Sequence, residues 1–507
     1  MVLQALSMFS VWTIVVNIIG VVAGIIFGFL PGLSATMGVA LLMPFTFNMA
    51  PVEGISLLLG VYCGGIYGGS ITAILIRTPG TPASAATVLE GYPMTQQGRA
   101  KEALNGATLG STLGGLFSCI ILIFAAQAIA HFALRFGNAE YFAVAMFGLC
   151  MVTSLSSKNL IKGVIGVCLG YIASSIGMDQ VNGLSRFSFG VRYMLSGIET
   201  VTALVGLFAI SEIFLKIEKS TTDKGYGTVA AYDGKGMGLW ELITKHPINL
   251  LRSSIIGTIV GIIPATGSGT AAWLSYNEAK RQDKTDTFGK GNVDGVIASE
   301  TANNAVTGGA LVPLLALGVP GDTVTAVLLG ALTLQGLAPG PMLFVDHPAE
   351  VTAIYVLMVI SNLFMCLFGM IGIKGFLQVL KVPPQALSAV VLGLCMTGAY
   401  AVRNYTFDIK CALLMGILGY IFTKADLPIP PILLGLLLGQ TAEFRFRNFM
   451  TQNNAEWWRL FTFKDYPIAS VLLLVAICAF LFPVVTWAIK KIKGGKQSKG
   501  EDLPQAE

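Results

Sequence analysis

The chain has 507 residues, of which 54% are hydrophobic and 12% are charged, and its net charge is +5. Soluble proteins are about 25% charged, so this composition excludes an ordinary soluble protein and indicates many membrane-spanning helices. The small basic excess is typical of the cytoplasmic loops of a membrane protein and does not predict nucleic-acid binding.

Apolar runs follow one another along almost the whole chain. The first, residues 10–30, has no basic leader and continues into further apolar sequence, which indicates a retained span rather than a cleaved signal. Other long runs cover residues 54–76 and 104–134, whereas several, such as 308–317, are too short to cross a bilayer alone. The sequence therefore predicts an all-α polytopic membrane protein of about 10–12 spans, some of them broken or re-entrant.

Two apolar runs end in matching proline–glycine breaks. The first break reads TPGT at residues 78–81, and the second reads PGDT at residues 320–323. A break in a membrane helix frees backbone groups that hydrocarbon cannot satisfy, so it is tolerated only inside protein or beside a wet cavity. One break alone would be interpreted as a kink or a packing site. A matching pair in two halves is typical of the substrate site of a secondary transporter.

The two halves of the chain share further short strings in the same order. GFLP at 28–31 recurs as GIIP at 261–264, and LGYI at 169–172 recurs unchanged at 418–421. Each match is weak alone, but the ordered series indicates an internal duplication.

The charges of equivalent loops differ between the halves. Residues 44–54 contain no Lys or Arg while 275–294 contain four, and the bias reverses for 91–103 against 339–350. Because basic loops stay cytoplasmic, the halves are predicted to form an inverted repeat. We assign the repeats to residues 1–217 and 248–490, a cytoplasmic linker to 218–247 and a disordered cytoplasmic tail to 491–507.

Broken helices offer two kinds of ligand. A helix that begins inside the membrane presents unpaired N–H groups that suit a carboxylate, and one that ends there offers carbonyl oxygens that suit Na⁺. The predicted substrate ligands are Arg77, Thr78, Pro79, Gly80, Thr81, Asn303, Asn304, Pro320, Gly321, Asp322 and Thr323. The predicted ligands of a coupling cation, Na⁺ or H⁺, are Ser34, Thr36, Ser268 and Thr270.

Two charged residues adjoin the breaks, and each has more than one interpretation. A cation at mid-membrane costs about 2.5–3.5 kcal/mol on insertion scales, so Arg77 either meets an anion or extends to an interface. Asp322 could bind a cation, pair with Arg77 or cap the half-helix that follows it.

A polar island, SETANN at 299–304, interrupts the second half. The amides of Asn303 and Asn304 offer donors and acceptors, and we expect them to complete the pocket. Ser299 and Glu300 fit a helix cap at an aqueous boundary better.

Several catalytic signatures are absent from the sequence. It contains no GxxxxGK[ST] string, so the chain is not expected to hydrolyse ATP. Its titratable groups are too few and too dispersed for an active site, so we expect no enzymatic activity and no cofactor.

Longer strings resemble a known family. Residues 28–38, 78–98 (TPGTPASAATVLEGYPMTQQG) and 295–343, together with PPILLG at 430–435, resemble the large membrane subunit of the bacterial tripartite tricarboxylate transporters. The sequence departs from the family pattern in two places. Ala265 follows Pro264 where the family usually has glycine, and Arg77 stands where a neutral residue is expected.

The resemblance implies a cation-coupled importer of the bacterial inner membrane, acting by alternating access on citrate, other di- or tricarboxylates, or related organic acids. It implies two partners, a small membrane subunit and a periplasmic solute-binding protein. A stand-alone organic-anion carrier and a channel subunit are the alternatives; a channel would need a continuous polar lining. The sequence does not name the carboxylate, the coupling ion or the oligomeric state.

Overall fold

The computed structural model describes residues 2–30, 33–156, 160–220, 237–264, 266–379 and 384–481. Regular structure in these ranges is almost entirely helical, with one short antiparallel pair of strands, β1 Gly177–Met178 and β2 Ser185–Arg186. Within them, seven helices are long and apolar enough to cross a membrane, and five shorter apolar helices accompany these. The predicted all-α polytopic class is confirmed.

The helices run in chain order as α1 Val2–Ser7, α2 Val11–Phe29, α3 Ala35–Leu42, α4 Pro51–Ile76, α5 Val88–Gln96, α6 Ala100–Ala133, α7 Asn138–Ser156, α8 Leu160–Ser174, α9 Thr200–Leu204, α10 Ser211–Ser220, α11 Leu239–Lys245, α12 Pro247–Ile262, α13 Gly267–Gln282, α14 Val293–Leu317, α15 Thr323–Leu334, α16 Leu343–Asp346, α17 Pro348–Ile371, α18 Ile373–Val379, α19 Pro384–Arg403, α20 Thr406–Lys424, α21 Ile429–Gln452 and α22 Pro467–Leu481. A π-helical segment, Val205–Ile210, joins α9 to α10. Short 3₁₀ helices cover Met43–Asn48, Pro82–Ser84, Arg192–Ser196 and Trp457–Phe461.

The chain forms two compact units that differ from the two sequence halves. Unit 1 comprises Met1–Arg135 and Ile198–Ala425, and unit 2 comprises Phe136–Gly197 and Asp426–Glu507. Each unit therefore combines a segment from both halves. Most of the predicted linker and the whole predicted tail lie outside the described residues, so their cytoplasmic assignment stays a prediction.

Glycines let α2 and α4 of unit 1 lie in backbone contact. A Cβ added to Gly20 would lie 2.2 Å from the carbonyl oxygen of Leu57, and one added to Gly24 would lie 2.5 Å from that of Val61. Because the residue numbers of both helices rise together along the contact, α2 and α4 run parallel. Small residues at such a spacing are what allow membrane helices to approach closely.

The same arrangement recurs between α12 and α14. A Cβ added to Gly257 would lie 2.2 Å from the carbonyl oxygen of Ala302, and Gly261 meets Val306 in the same way at 2.9 Å. The α12/α14 pair is therefore packed like the α2/α4 pair, in the order that the sequence duplication predicts.

The two helix pairs run in opposite directions. Tyr67 of α4 lies 2.8 Å from Thr108 of α6. One turn earlier on α4, Cys63 contacts Asn362, which also contacts Cys119, a later residue of α6. Residue numbers therefore rise on one helix as they fall on the other, so α4 and α6 are antiparallel. By contrast, glycines of α6 meet successive residues of α14 in ascending order, so α6 and α14 are parallel. Consequently α4 and α14 are antiparallel.

Unit 2 is built around parallel packing of α8 on α21. A Cβ added to Gly170 would lie 1.9 Å from the carbonyl oxygen of Ile432. Beyond the end of α8, the turn between β1 and β2 carries Asp179, whose carboxylate accepts from the Val181 N–H at 2.7 Å and from Arg447. These donors hold the pKa of Asp179 at about 2. Arg186 joins the same carboxylate to Glu443, which ties the β turn to α21.

Candidate functional site

Four interruptions of the helices lie in unit 1, and we name them in chain order. Break A, residues 30–34, separates α2 from α3, and break B, residues 77–81, follows α4. Break C, residues 263–266, separates α12 from α13, and break D, residues 318–322, separates α14 from α15. Residues 31, 32 and 265 lie outside the described residues. The expected effect of Ala265 on the turn therefore stays a prediction.

Breaks B and D each pack against the end of a helix from the same half. A Cβ added to Gly80 would lie 2.0 Å from the carbonyl oxygen of Gly28, at the end of α2. A Cβ added to Gly321 would lie 2.5 Å from the carbonyl oxygen of Gly261, at the end of α12. Only glycine fits either position without moving backbone.

Contacts between the halves connect the breaks into a ring. The Oγ1 atoms of Thr36, in the first turn of α3, and Thr323, beside break D, lie 3.1 Å apart. A Cβ added to Gly269, in the first turn of α13, would lie 3.7 Å from the carbonyl oxygen of Pro82, beside break B. Contacts at the breaks or at residues flanking them thus connect the four breaks in the order A, D, C, B and back to A, and we call this arrangement the break ring.

The local structure of breaks B and D is alike. Arg77 ends α4 and Gly318 ends α14 in the left-handed backbone region, at φ of 58° and 72°. The next structure begins with a capping box in both cases, Thr81 with Ser84 and Asp322 with Thr325. Such reciprocal caps satisfy backbone donors that a broken helix would leave unpaired.

Asp322 and Arg77 do not pair with each other. The Asp322 carboxylate is buried and accepts from the Thr325 N–H and the Tyr62 hydroxyl, each at 2.7 Å. Arg77 is exposed, with its guanidinium 5.7 Å from the ring centre of Tyr92. Of the three roles that the sequence allows for Asp322, the structure shows the helix cap, at the start of α15.

The helix N-termini in the ring differ in how they are capped. Ser34 caps α3 by accepting from the Met37 N–H at 3.2 Å, and Asp322 caps α15. By contrast, α13 has no side-chain cap and begins with Gly267 at a φ of 74°. The partly buried Ser268 adds a hydroxyl there. This N-terminus is therefore the one best able to bind an anion.

Asn303 and Asn304 lie on the buried face of α14, away from break D. Fifteen residues separate Asn303 from Gly318, about 22 Å at helical rise. Asn304 donates to Ser111 of α6 at 2.8 Å, while its Oδ1 has no partner among the described residues. The buried side-chain amide of Asn303 faces the Glu300 carboxyl, but neither of its polar atoms makes a hydrogen bond within 3.5 Å to a described residue. Buried amide atoms without a hydrogen bond are uncommon, and a bound ion or an ordered water is one way to satisfy them.

Ser299 and Glu300 do not cap a helix, so that expectation is wrong. Helix α14 begins two turns earlier at Val293, with Asn292 as its cap, and both residues are fully buried. The hydroxyl of Thr87 donates to the Glu300 carboxyl and lies 2.9 Å from the Ser299 hydroxyl. Thr87 lies in the segment between break B and α6, residues 82–99, which contains α5 and which we call the hairpin. The polar island therefore contacts the segment that follows break B and not break D.

A second buried carboxylate, Glu90, fixes the same hairpin. It accepts from the backbone N–H groups of Gly289, Gly291 and Asn292 at 2.5, 2.9 and 2.9 Å, and from the Tyr276 hydroxyl at 2.8 Å. The first-half hairpin is therefore attached to α13 and to the loop before α14.

Most of the predicted ligands are gathered in or beside the break ring. Gly80, Thr81, Pro320, Gly321, Asp322 and Thr36 are buried there, and Thr323 and Ser34 are half-buried. Arg77, Thr78, Pro79 and Thr270 are exposed. A surface cavity of about 390 Å³ lies elsewhere, lined by residues that include His246 and Arg252.

Helices interrupted inside a helical membrane protein are the arrangement that many membrane transporters use at their substrate sites. A model of the tripartite tricarboxylate transporter TctA family matches residues 14–434, and the chain belongs to this family. The resemblance inferred from the sequence is thus confirmed.

Two relatives come from Agrobacterium vitis. An uncharacterised 52.8 kDa protein of the TAR-I ttuC′ 3′ region is 34% identical over 471 residues, which cover 92% of each chain. An uncharacterised protein of the TAR-II ttuC′ 3′ region is 32% identical over 233 residues, or 45% of this chain and 95% of the relative. No solved structure gives a significant match.

Proposed function

We propose that this protein is the large membrane subunit of a tripartite importer for a di- or tricarboxylate, or a related organic acid, in the bacterial inner membrane. The observation that carries the proposal is the break ring, which brings two Pro–Gly breaks and two further helix interruptions into mutual contact. Membership of the TctA family supports the tripartite system with its small membrane subunit and periplasmic binding protein.

The proposed substrate position is the part of the ring where break B meets α13. The uncapped N-terminus of α13 would hold a carboxylate through backbone N–H groups, and the side-chain amide of Asn303 would add a donor. Arg77 lies at the exposed end of break B, where it would attract an anion before binding rather than hold it inside.

The proposed cation ligands are the carbonyl oxygens freed at the breaks, with the hydroxyls of Ser34, Thr36, Ser268 and Thr270. Because Thr36 contacts Thr323 directly, a cation at α3 would also affect break D. Coupling by Na⁺ or by H⁺ fits these neutral oxygens.

We infer that the halves form an inverted repeat that works by alternating access. Equivalent contacts at Gly28 and Gly261, and the opposite directions of α4 and α14, support this arrangement. In such transporters one group of helices moves against another around a fixed site. Every link of the break ring then has to change when the site opens to the other side.

Counterflow in proteoliposomes tests the proposal. The full chain, co-reconstituted with its small membrane subunit and binding protein, is expected to exchange labelled citrate, or another member of a di- and tricarboxylate panel, against internal unlabelled acid. A simple pore gives no counterflow. Full activity without the small subunit would refute the tripartite arrangement in favour of a stand-alone carrier.

The break-ring assignment is tested by matched glycine variants. Gly80→Ala inserts a methyl group against the backbone of Gly28, whereas Gly393→Ala adds one where nothing lies within 4 Å. Counterflow is expected to fall at least tenfold in the first variant and to be unchanged in the second. Equal activity of both would place the substrate path away from break B.

A further inference from the structure

Glu300 is a buried carboxyl for which unit 1 provides little compensation. Its side chain is fully buried on α14, where one oxygen accepts from Thr87 and the other lies 3.5 Å from the Ser111 hydroxyl. Among the described residues, no Lys, Arg or His forms an ion pair with it. An ionised carboxylate in such a place is strongly destabilised unless a positive charge neutralises it.

Three other buried carboxylates of unit 1 are compensated in different ways. Glu90 accepts four hydrogen bonds, three of them from backbone N–H groups. Asp322 caps a helix, and Asp408 pairs with Arg403 at 2.5 Å. Within the described ranges, Glu300 caps no helix, accepts from no backbone N–H group and has no cation beside it. Its neighbours are the neutral side chains of Thr87, Ser111 and Asn303.

Unpartnered amide oxygens lie on the same helix face as Glu300. Asn303 and Asn304 follow it by three and four residues, so their side chains project from that face. The Oδ1 atoms of both are buried and lack partners in the described part of the chain. Asn304 and Glu300 also share Ser111, which accepts from the Asn304 amide at 2.8 Å. A carboxylate beside free amide and hydroxyl oxygens is a donor set for a small hard cation or a proton.

We propose that Glu300 binds the coupling cation of the transport cycle, with Thr87, Ser111 and the amide oxygens of Asn303 and Asn304 as its neutral neighbours. This inference rests on the proposed function and adds the charged ligand that the hydroxyls of the break ring lack. Na⁺ and H⁺ have the same role here, because each neutralises the carboxylate.

Charged side chains on the elements around α14 have other partners or are exposed, and none of the described ones pairs with Glu300. Glu90 of the hairpin bonds to Tyr276 of α13. At the start of α6, Glu102 pairs with Arg99, and Lys101 is exposed. Arg252 of α12 bonds to Asn249, and Tyr62 of α4 bonds to Asp322.

Thr87 gives the cation a mechanical connection to the substrate position. Only five residues separate it from Thr81 of break B, which directly precedes the hairpin. A cation on Glu300 changes the acceptor that Thr87 faces, and with it the position of the hairpin that forms one side of the ring. Substrate and cation would thus act on the same segment, which is the requirement for coupling.

The test compares Glu300→Gln with the wild-type full chain, co-reconstituted with its two partners, using labelled citrate or the panel acid that the wild type exchanges. Imposed Na⁺ and pH gradients are applied separately. In the wild type, a tenfold gradient of the coupling ion supports accumulation of up to about tenfold per coupled cation. In Glu300→Gln we expect no accumulation with either gradient and counterflow that no longer depends on Na⁺ or pH. The glutamine amide keeps the shape of the side chain but is uncharged, so it offers no negative charge for a cation to neutralise.

Neighbouring residues of α6 provide a matched pair. Ser111→Ala is expected to raise the cation concentration for half-maximal uptake roughly 3–10-fold. In the described part of the chain, the Thr112 hydroxyl bonds only to the Thr108 carbonyl oxygen of its own helix, so Thr112→Val is expected to leave this concentration unchanged.

Three outcomes would overturn this assignment. Gradient-driven accumulation by Glu300→Gln would place the cation on the break-ring hydroxyls instead, and equal shifts in Ser111→Ala and Thr112→Val would indicate a structural effect. Wild-type counterflow without accumulation in either gradient would remove the cation site. Absence of counterflow in the wild type would instead refute the proposed transport function.

Discussion

Replacing Glu90 by glutamine is expected to destabilise the protein strongly, because every partner of this carboxylate is a donor. Three partners are backbone N–H groups, of Gly289, Gly291 and Asn292, whose direction cannot reverse. The fourth, the Tyr276 hydroxyl, can rotate to accept. In either amide orientation, the NH₂ group of glutamine faces at least one N–H donor.

The magnitude follows from those four hydrogen bonds. With the amide nitrogen placed towards Tyr276, the Gly289 N–H loses its acceptor, which costs about 1–3 kcal/mol. The remaining bonds change from charged to neutral, at roughly 1 kcal/mol each. Easier burial of a neutral group offsets part of the loss. The net destabilisation of Glu90→Gln is therefore about 2–4 kcal/mol.

Unfolding of the purified protein in detergent, followed by circular dichroism, measures this effect. Glu300→Gln is the internal comparison: its partners are hydroxyls, which can reverse, so its midpoint is expected to stay at or above that of the wild type. Hydrogen exchange should rise at residues 289–292 in Glu90→Gln alone. A Glu90→Gln protein as stable as the wild type, or equal destabilisation by both variants, would refute the reasoning.

Three further outcomes are expected in the same unfolding assay. Tyr62→Phe removes a hydroxyl that donates to a buried carboxylate and should cost about 1–3 kcal/mol, whereas Tyr355→Phe, whose hydroxyl has no hydrogen-bond partner among the described residues, should cost nothing. Gly321→Ala should cost about 1–3 kcal/mol by overpacking backbone. The pKa of Asp179 lies at about 2 in the folded protein against 3.8 normally, so its stabilisation is complete above about pH 4 and lost towards pH 2. The midpoint of Asp179→Asn should therefore lie below that of the wild type at neutral pH, and the difference should shrink as pH falls through this window.

The sequence locates helices well where hydropathy and local signals agree. The predicted runs 10–30 and 54–76 correspond to α2 and α4 within a few residues. Break D follows from Pro320 and Gly321, because proline cannot continue a helix and glycine permits the close approach to Gly261.

The predicted start of α14 is wrong by fifteen residues, because the apolar run begins at residue 308 and the helix begins at Val293. Glu300, Asn303 and Asn304 lower the local hydropathy, so the sequence suggested an aqueous boundary. Their neighbours Thr87 and Ser111 lie about 190–210 residues away in the chain and compensate some of their polar atoms. Two signals in the sequence indicate the helix: the spacing of Glu300, Asn303 and Asn304 places them on one helix face, and no proline interrupts residues 293–312.

The division into two units also escaped prediction, because it depends on which glycines meet. Gly166 and Gly170 of α8, and Gly435 and Gly439 of α21, have the four-residue spacing of close helix pairs. That spacing identifies a packing face but not its partner, and the partners here are about 265 residues apart.

The split composition of unit 2 has a consequence for how the chain is made. Helices α7 and α8 are synthesised early, but α21, which covers the glycine face of α8, begins only at Ile429. At about 5–20 residues per second, ribosomes need roughly 10–50 s to make the 228 residues from Ile198 to Ala425. During that time the glycine face of α8 lacks α21, the helix that covers it in the folded unit. Assembly of unit 2 therefore waits for the C-terminal sixth of the chain, and a truncation before α21 leaves both helices without their partner.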